Sequence, residues 1–218
     1  GVEVYGLDRR GSGRSGGPRG HLDRYERALD DVEQLLRLVA AEHPGVPVFL
    51  AASSWAAKLA VVYAAQRPAP LAGLLLLGPG LFPRVNLSPW RRIVVVAGHL
   101  VRPMASLPIP LTPELYTANP PYRDLIRADP LRLLQATSQF FWETARLDRR
   151  RRTATARLEL PVLLLQGEND ARDRRPVIEQ VDHLEQPRGQ PRPPRVPVEP
   201  AEQRLVVADV PGDRDQIG

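Results

Sequence analysis

Apolar positions in the first part of the chain repeat with the two periods that strands and helices require. Val2–Gly6 alternates apolar and polar residues and predicts a strand, whereas Leu22–Ala41 repeats apolar residues at helical spacing. Pro47–Ala51 predicts a short apolar strand, and Ser54–Gln66 a nearly all-apolar, buried helix. Leu71–Leu77 is typical of a strand buried on both faces. Strands that alternate with helices indicate an α/β fold built on a parallel sheet.

The alternation stops between about Phe82 and Arg157. This stretch has helical patterns and Pro-rich loops without a clear strand. One helix is predicted to start at Ser88-Pro89, with a cap residue before a first-turn proline, and another to run over Pro130–Arg152. We interpret the stretch as a helical cap over the strand ends. Leu160–Gln166 then predicts a further buried strand.

The carboxyl-terminal part has a different composition. Arg175–Glu185 predicts a helix, Gln186–Gln203 holds six prolines and predicts an extended linker, and Arg204–Val207 predicts a last strand. The expected domains are a first core part over 1–81, a cap over 82–157, a second core part over 158–185, and a linker with a tail over 186–218.

Composition excludes several classes of site. The 218 residues contain no Cys, which excludes disulfides, thiolate zinc sites and a thiol nucleophile. No apolar run reaches the roughly 18 residues of a membrane span, so no transmembrane segment is expected. The net charge of +5 includes one lysine, Lys58, and a basic run, Arg149–Arg152, that follows a helical pattern. We expect a solvated helix end there and no nucleic-acid partner.

The first motif with possible chemistry is Gly11-Ser-Gly-Arg-Ser-Gly16, which fits G-x-G-x-x-G after a predicted strand. Such glycines bring a helix amino terminus against a pyrophosphate in dinucleotide-binding folds. Here the helix does not open at the last glycine, because Gly17–Gly20 intervenes. No second strand with a terminal acid follows about 20 residues later, so a dinucleotide site is the weaker interpretation.

The second motif is Ala52-Ser-Ser54-Trp-Ala56, between an apolar strand and a buried helix. In a nucleophile elbow, the serine of G-x-S-x-G lies on a tight strand-to-helix turn, and the next backbone N–H can stabilise an oxyanion. Both flanking glycines are alanine here. The spacing makes Ser54 the candidate nucleophile and Trp55 the oxyanion donor, while an ordinary helix-capping serine remains an equal alternative.

The third motif is Gln166-Gly-Glu-Asn-Asp170, after the last clear apolar strand. A carboxylate there could orient a catalytic imidazole. A plain turn is the alternative, because Asn, Asp and Gly are turn residues. The order of Ser54 before this acid is the order of an α/β-hydrolase triad.

Together these segments resemble α/β-hydrolases of the monoacylglycerol lipase and lysophospholipase group, the serine aminopeptidase S33-type hydrolases. The matching segments are Val4–Gly17, Pro47–Ala57, Leu74–Gly80, Ile109–Pro120, Asp129–Leu131, Ala136–Ser138, Arg146–Asp148 and Leu160–Asp170. The resemblance implies an α/β-hydrolase fold with a helical cap, Ser54 as nucleophile, Asp170 as triad acid, and no metal or cofactor. It also implies a small acyl ester as substrate. A cytoplasmic location is a separate expectation for this chain.

The resemblance further implies that the amino-terminal strands of the fold lie outside this sequence, which then corresponds to a fragment. It leaves the catalytic histidine unassigned. Of the four histidines, His21 and His43 precede the elbow and are expected at the surface, and His99 lies in the apolar cap run. His183 follows Asp170 but falls inside a predicted helix, and Asp215 occupies the position where the family places its histidine.

Two functions remain open from the sequence. One is a serine hydrolase of carboxylic esters, acting on monoacylglycerol-like or lysophospholipid-like substrates. The other is a non-catalytic α/β-hydrolase-like binding protein, or a degenerate fragment, which the alanine-flanked elbow and the unassigned histidine favour. Apolar cap residues such as Trp90, Ile93 and Phe140 suit an acyl chain, although packing of the cap would also account for them. A transient contact of the cap with a lipid surface is compatible with either function.

Overall fold

The computed structural model describes residues 1–67, 71–81 and 88–165. These residues form five helices, five strands and two short 3₁₀ turns at Pro113–Leu115 and Thr155–Arg157. In chain order the helices and strands are α1 (Tyr25–Glu42), β1 (Val48–Ser54), α2 (Trp55–Gln66), β2 (Leu71–Pro79), α3 (Pro89–Val101), β3 (Ser106–Pro108), α4 (Pro120–Ala128), β4 (Gln135–Thr137), α5 (Ser138–Ala154) and β5 (Val162–Leu165).

A parallel sheet of order β1-β2-β5 forms the centre of the described fold. Helix α2 packs against it and contributes the largest buried group, in which Ala57, Val62 and Tyr63 are at most 1% exposed. Burial of each large apolar side chain contributes about 1.5–3 kcal/mol to the stability of the fold. The sheet and the helix therefore hold the β1–α2 junction in a fixed position. The predicted α/β fold is confirmed.

Two strand predictions differ from the structure. Val2–Gly6 forms no strand, and Val2 is 92% exposed. Among the described residues, β1 pairs with β2 alone, so the alternating segment has no strand partner and forms an amino-terminal arm without secondary structure. Strand β2 is buried on one face, with Leu74 and Leu76 inside, whereas Leu77 is 40% exposed. The continuous apolar run therefore did not reveal that one face of the sheet is only partly covered.

The stretch between β2 and β5 is mainly helical, as predicted, but it also contains two strands that the sequence does not reveal. Strands β3 and β4 pair antiparallel, with Leu107 opposite Ala136. The helix expected over Pro130–Arg152 begins at Ser138, where the Thr137 hydroxyl accepts a bond from the Phe140 N–H. A threonine cap of this kind ends the strand and starts the helix. The boundaries of the cap domain stay a prediction.

Helix α5 connects the cap stretch to the core through buried polar contacts. The Glu143 carboxylate, 1% exposed, accepts a bond from the backbone N–H of Tyr25, the first residue of α1. It thereby satisfies a helix amino terminus whose own cap residue, Arg24, makes no side-chain capping bond. The run Arg149–Arg152 is only partly a solvated helix end, because Arg151 is 5% exposed and lies 3.8 Å from Asp148.

Several predictions fall outside the described residues. They are the acid loop with Asp170, the helix at Arg175–Glu185 with His183, the linker at Gln186–Gln203, the strand at Arg204–Val207 and the tail with Asp215.

Candidate active site

Ser54 lies at the junction of strand and helix, as a nucleophile elbow requires. It is the last residue of β1, and α2 begins at the next residue. Its φ of 52° and ψ of −117° make it the one non-glycine residue of the described ranges with positive φ. An L-residue in this region is strained by about 1–3 kcal/mol and persists only where the surroundings impose it. Such strain is typical of a side chain held for function.

Packing around the turn maintains this conformation. The Ser54 carbonyl accepts a bond of 3.1 Å from the Gly80 N–H at the end of β2. Ala52, in place of the first glycine of the usual motif, is 8% exposed, and Ala56, in place of the second, is solvent-exposed. Both alanine methyl groups are accommodated without loss of the turn.

The alternative of a helix-capping serine does not fit this geometry. Ser54 occupies the cap position of α2, but its side chain makes no capping hydrogen bond. A capping serine has extended backbone angles and accepts from the second or third helical N–H. The hydroxyl of Ser54 is therefore available for another partner. Its role as nucleophile stays a prediction.

Trp55 contributes two groups at this place. Its backbone N–H is the first of α2 and has no acceptor within the helix, as at any helix amino terminus. This is the donor that the elbow motif assigns to an oxyanion. Its indole Nε1–H donates a bond of 3.0 Å to the Thr144 hydroxyl on α5. The residue after the candidate nucleophile is thus hydrogen-bonded to α5.

The glycine-rich loop folds onto itself and does not form a phosphate cradle at a helix start. The Gly11 N–H donates to the Gly16 carbonyl over 2.9 Å, and the Gly20 N–H to the Gly11 carbonyl over 2.8 Å. Gly13 lies so close to the Asp8 carboxylate that a Cβ there would be 2.1 Å from it. Helix α1 begins only at Tyr25. The dinucleotide interpretation therefore lacks its main structural requirement, and the glycines serve packing of the loop.

Arg9, from the start of this loop, lies against the elbow. Its guanidinium carbon is 5.0 Å from the centroid of the Trp55 ring and 4.9 Å from that of Phe140. The two rings are 5.5 Å apart and tilted by 31°. Burial lowers the pKa of the Arg9 guanidinium to about 10, so it stays charged near neutral pH.

Ser54, Trp55, Arg9 and Phe140 line a cleft of about 1970 Å³. Val48 of β1 and Val4 of the amino-terminal arm line it as well. The lining is largely apolar, and its polar residues include Thr144, Lys58 and Asp148. Such a mixture of many apolar groups and few polar ones is typical of small-molecule sites.

The three histidines of the described ranges have partners away from Ser54. His21 Nδ1 is 3.0 Å from the Thr137 hydroxyl. His43 is 2.6 Å from the Tyr5 hydroxyl and also lines the cleft. His99 is 2.6 Å from the Gln139 amide oxygen and stacks on Trp142 at 4.5 Å. None of these three bonds brings an imidazole to the candidate nucleophile.

The predicted triad acid, Asp170, lies outside the described residues, so its position relative to Ser54 stays a prediction. Within residues 1–67, 71–81 and 88–165, no group of three His, Asp or Glu side chains could hold a metal ion. No helix in the same ranges is long and apolar enough to cross a bilayer.

The elbow, the parallel sheet and helix α5 can be compared with known proteins. The family model of the serine aminopeptidases, S33, matches residues 1–183 of the 218. The chain belongs to the serine aminopeptidase S33 family. The predicted α/β-hydrolase fold and the family resemblance are thereby confirmed. In this S33-family chain the matched range includes Ser54, Trp55 and Asp170, and it ends before the proline-rich linker.

Relatives of this S33-family chain are lipases. It is 30% identical over 132 residues to a monoacylglycerol lipase of Mycolicibacterium smegmatis, covering 60% of this chain and 46% of that protein. It is 28% identical over 173 residues to the human monoglyceride lipase, covering 77% and 55%. The crystal structure of the Paleococcus ferrophilus monoacylglycerol lipase has a TM-score of 0.63 at 25% identity, covering 72% of this chain and 59% of that one. The S33-family chain spans about half the length of the curated relatives it matches.

Sequence reasoning missed two contributors to the elbow surroundings. Arg9 lies two residues before the Gly11–Gly16 motif, and Thr144 lies within the helix predicted over Pro130–Arg152. Neither residue has a spacing relation to Ser54 along the chain. Their contact with Trp55 arises because the loop and α5 converge on the β1–α2 junction, which local patterns cannot encode.

Proposed function

We propose that this chain carries the nucleophile of a carboxylic ester hydrolase. Ser54 attacks the ester carbonyl, and the backbone N–H of Trp55 stabilises the negative charge that develops on the carbonyl oxygen. Asp170 orients the imidazole that accepts the serine proton. The histidine that supplies this imidazole is not assigned to a residue of the chain. The alcohol of the ester leaves with that proton, and the acyl-enzyme remains. Water then cleaves the acyl-enzyme, which releases the carboxylic acid and restores the Ser54 hydroxyl.

The observation that carries this proposal is the backbone of Ser54. A positive φ at a serine between a strand and a buried helix has no structural benefit of its own, because glycine would adopt the same angles without strain. The hydroxyl makes no capping bond and lines the cleft. The strain is therefore best explained by the need for a hydroxyl at this turn.

The surroundings favour an ester with an acyl chain, of the monoacylglycerol-like or lysophospholipid-like kind. Phe140 and Phe141 of α5 line the cleft with their rings 5.7 Å apart, and the apolar Val95 of α3 lines it as well. Apolar walls of this kind remove hydrocarbon surface from water. Relatives of the chain bear the names monoacylglycerol lipase and monoglyceride lipase, which supports the same substrate class.

A fluorophosphonate probe, which reacts with activated serines, tests the proposal directly. We expect the wild-type chain to be labelled at Ser54, as located by mass spectrometry of the digested protein. Ser54→Ala should lose the label, and Ser53→Ala, at the preceding exposed serine, should keep it. Hydrolysis of short acyl esters should follow the label across the three proteins. Turnover of these esters that is equal in wild type and Ser54→Ala would exclude the assigned role of Ser54.

A non-catalytic binding protein is the second candidate. It is favoured by the bonds of His21, His43 and His99 to partners other than Ser54 within the described ranges. This candidate predicts that the chain binds a fatty-acyl ligand but is not labelled by the probe. Labelling of wild type that is lost in Ser54→Ala would argue against it.

We also propose that helix α3 contacts a lipid surface. The helix packs against α5 through His99, which stacks on Trp142, and its Val95 is buried. Trp90, Ile93 and Leu100, by contrast, are 58–76% exposed. The helix contains no acidic residue, and Arg92 and Arg102 lie at its two ends. An amphipathic helix with an apolar face and flanking cations suits the interface of an anionic bilayer.

Sedimentation with phosphatidylcholine–phosphatidylglycerol vesicles tests this surface. Trp90→Ser combined with Leu100→Ser should reduce the vesicle-bound fraction severalfold, because the two changes remove two of the largest exposed apolar groups of α3. Leu38→Ser, at a similarly exposed leucine of α1, is the matched control and should bind like wild type. Equal binding of all three proteins would exclude α3 as the contact.

A further inference from the structure

The guanidinium of Arg9 has no acidic partner among the residues that the structure describes. The neighbouring charged side chains of the same loop have partners. Arg10 forms a two-bond pair with Asp31 at 2.8 and 2.5 Å, and the Asp8 carboxylate accepts the Arg14 N–H over 2.9 Å. The one hydrogen bond of the Arg9 side chain is a long one of 3.5 Å to the backbone carbonyl of Arg10. Several of its N–H donors therefore have room for a further acceptor.

Aromatic rings hold this cation in place. The guanidinium lies over both the Trp55 ring and the Phe140 ring, at distances at which a cation is attracted to a π system. Trp55 is fixed in turn by its bond to Thr144, one helical turn after Phe140 on α5. The backbone of Arg9 is fixed as well, because its carbonyl accepts the Ser12 N–H over 2.8 Å. The charge is thus oriented before any ligand arrives.

Its location connects it to the chemistry of the elbow. Arg9 and Ser54 line the same cleft, and Trp55, which the guanidinium covers, is the residue that follows the candidate nucleophile. A half-buried cation beside apolar walls attracts an anion more strongly than a solvated one, because fewer water molecules screen it. Guanidinium groups bind carboxylate and phosphate oxygens through paired N–H donors.

From these observations we infer that Arg9 is a specificity-determining residue that binds an anionic group, a phosphate or a carboxylate, on the ester substrate. This inference rests on the proposed hydrolysis at Ser54. It narrows the substrate to acyl esters whose alcohol or acyl part carries a negative charge within reach of the elbow. The apolar walls receive the hydrocarbon, and the Arg9 guanidinium receives the charge.

The test compares three esters that share one decanoyl chain. They are monodecanoylglycerol, its phosphate monoester and its hemisuccinate. For each ester, kcat/KM is measured for the release of decanoate, and the value for each charged ester is divided by the value for the neutral one. We expect Arg9→Gln to lower this ratio roughly 10- to 100-fold for the preferred anion, the range set by a lost charge-assisted hydrogen bond. Arg9→Lys, which keeps the charge but not the paired donors, should retain part of the preference. The ester whose ratio falls identifies phosphate or carboxylate as the natural group.

A matched control and a second measurement separate this inference from the proposed hydrolase function. Arg27→Gln, at an exposed arginine that does not line the cleft, should leave both ratios at the wild-type values. Calorimetric titration of Ser54→Ala with decyl phosphate, decanoate and decanol requires no turnover. There the dissociation constant of at least one anion should rise about 10-fold or more when Arg9→Gln is added.

The outcomes are distinct. Ester turnover with ratios that Arg9→Gln does not change would overturn the inference and make Arg9 a packing residue only. Absence of turnover together with anion binding that depends on Arg9 would contradict the hydrolase and support the anion site. Anion binding that is equal with and without Arg9 would overturn the inference whether or not the chain is an enzyme.

Discussion

The ammonium group of Lys58 lies 2.8 Å from Oδ1 of Asp148, and this ion pair joins the helix of the elbow to α5. Lys58 lies four residues after Ser54 and is 5% exposed. It is the only lysine of the chain. Asp148 also lies 3.8 Å from the buried Arg151. One carboxylate thus lies close to two cations that have little access to water, and one of these cations is on the helix that begins directly after Ser54.

This arrangement predicts an asymmetry between its members. Lys58→Met removes one cation and leaves Asp148 partly solvated and near Arg151, so we expect a loss of about 1–2 kcal/mol in the free energy of unfolding. Asp148→Asn leaves the buried Lys58 ammonium without the carboxylate that it contacts, and here we expect about 3–5 kcal/mol. Urea denaturation of the two variants measures both values. Equal losses would show that the burial of Lys58 does not depend on the Asp148 carboxylate.

A second prediction concerns the strain at Ser54. Ser54→Gly removes the side chain and the steric conflict of positive φ together, whereas Ser54→Ala removes the hydroxyl and keeps the conflict. We expect Ser54→Gly to unfold with a free energy about 1 kcal/mol higher than Ser54→Ala, with neither variant labelled by the fluorophosphonate. Thermal denaturation compares the pair. A Ser54→Gly variant that is less stable than Ser54→Ala would mean that a Cβ at this position causes no strain in the turn.

A third prediction separates conformational strain from close contact at two glycines. Gly20 and Gly45 have similar positive φ values of 68° and 79°, but a Cβ on Gly20 would lie 2.4 Å from the Gln135 carbonyl oxygen, whereas Gly45 faces open space. Gly45→Ala should cost about 1 kcal/mol through strain alone. Gly20→Ala should cost about 2 kcal/mol more, because the loop must move away from β4. The difference in midpoint of urea unfolding measures the contact between loop and cap.

A fourth prediction concerns the buried carboxylate that caps α1. Glu143→Ala leaves the Tyr25 N–H without its acceptor and Arg146 without the carboxylate oxygens that it contacts at 2.9 Å. We expect the free energy of unfolding to fall by about 2–3 kcal/mol. Glu159→Ala, at an exposed glutamate, is the control and should stay within about 0.5 kcal/mol of wild type. Amide exchange should also become faster in the first turn of α1 in the Glu143 variant alone.

A fifth prediction follows from the pKa of Arg9. Burial lowers the pKa of this guanidinium to about 10, so the group is protonated at pH 7 and loses its charge as the pH rises through 10. Preference for the hemisuccinate ester, whose carboxylate is ionised throughout, should therefore be constant between pH 7 and 9. It should decline above that range as the cation is lost. A preference that already halves between pH 7 and 8 would indicate a different cation.

The sequence was sufficient for the features that depend on local periodicity. Leu29 and Val32 repeat at helical spacing and are buried in α1, and the apolar run at Leu74 and Leu76 is the central strand of the described sheet. The strand–turn–helix around Ser54 also follows from local pattern, because small residues permit the turn and an all-apolar helix must be buried.

Features that depend on distant partners could not be predicted. Val2–Gly6 alternates like a strand, yet pairing is a property of two segments, and the arm has no strand partner in the described structure. Arg151 belongs to a basic run that the sequence predicts to be solvated, but it lies on the same side of α5 as Asp148 and is 5% exposed. The capping of α1 by Glu143 joins residues 118 positions apart, and no local rule relates them.

The uneven attachment of the cap stretch affects how a substrate would enter and leave. Helix α5 is joined to the core by Lys58–Asp148, Trp55–Thr144 and Tyr25–Glu143, whereas α4 has no buried residue. Segments with few buried contacts open at little free-energy cost. We therefore expect local opening of the structure to occur mainly at α4, while α5, which lies beside Ser54 and Trp55, stays in place. Turnover limited by product release would then respond to substitutions on α4, whose Ile126 lines the same cleft as Ser54.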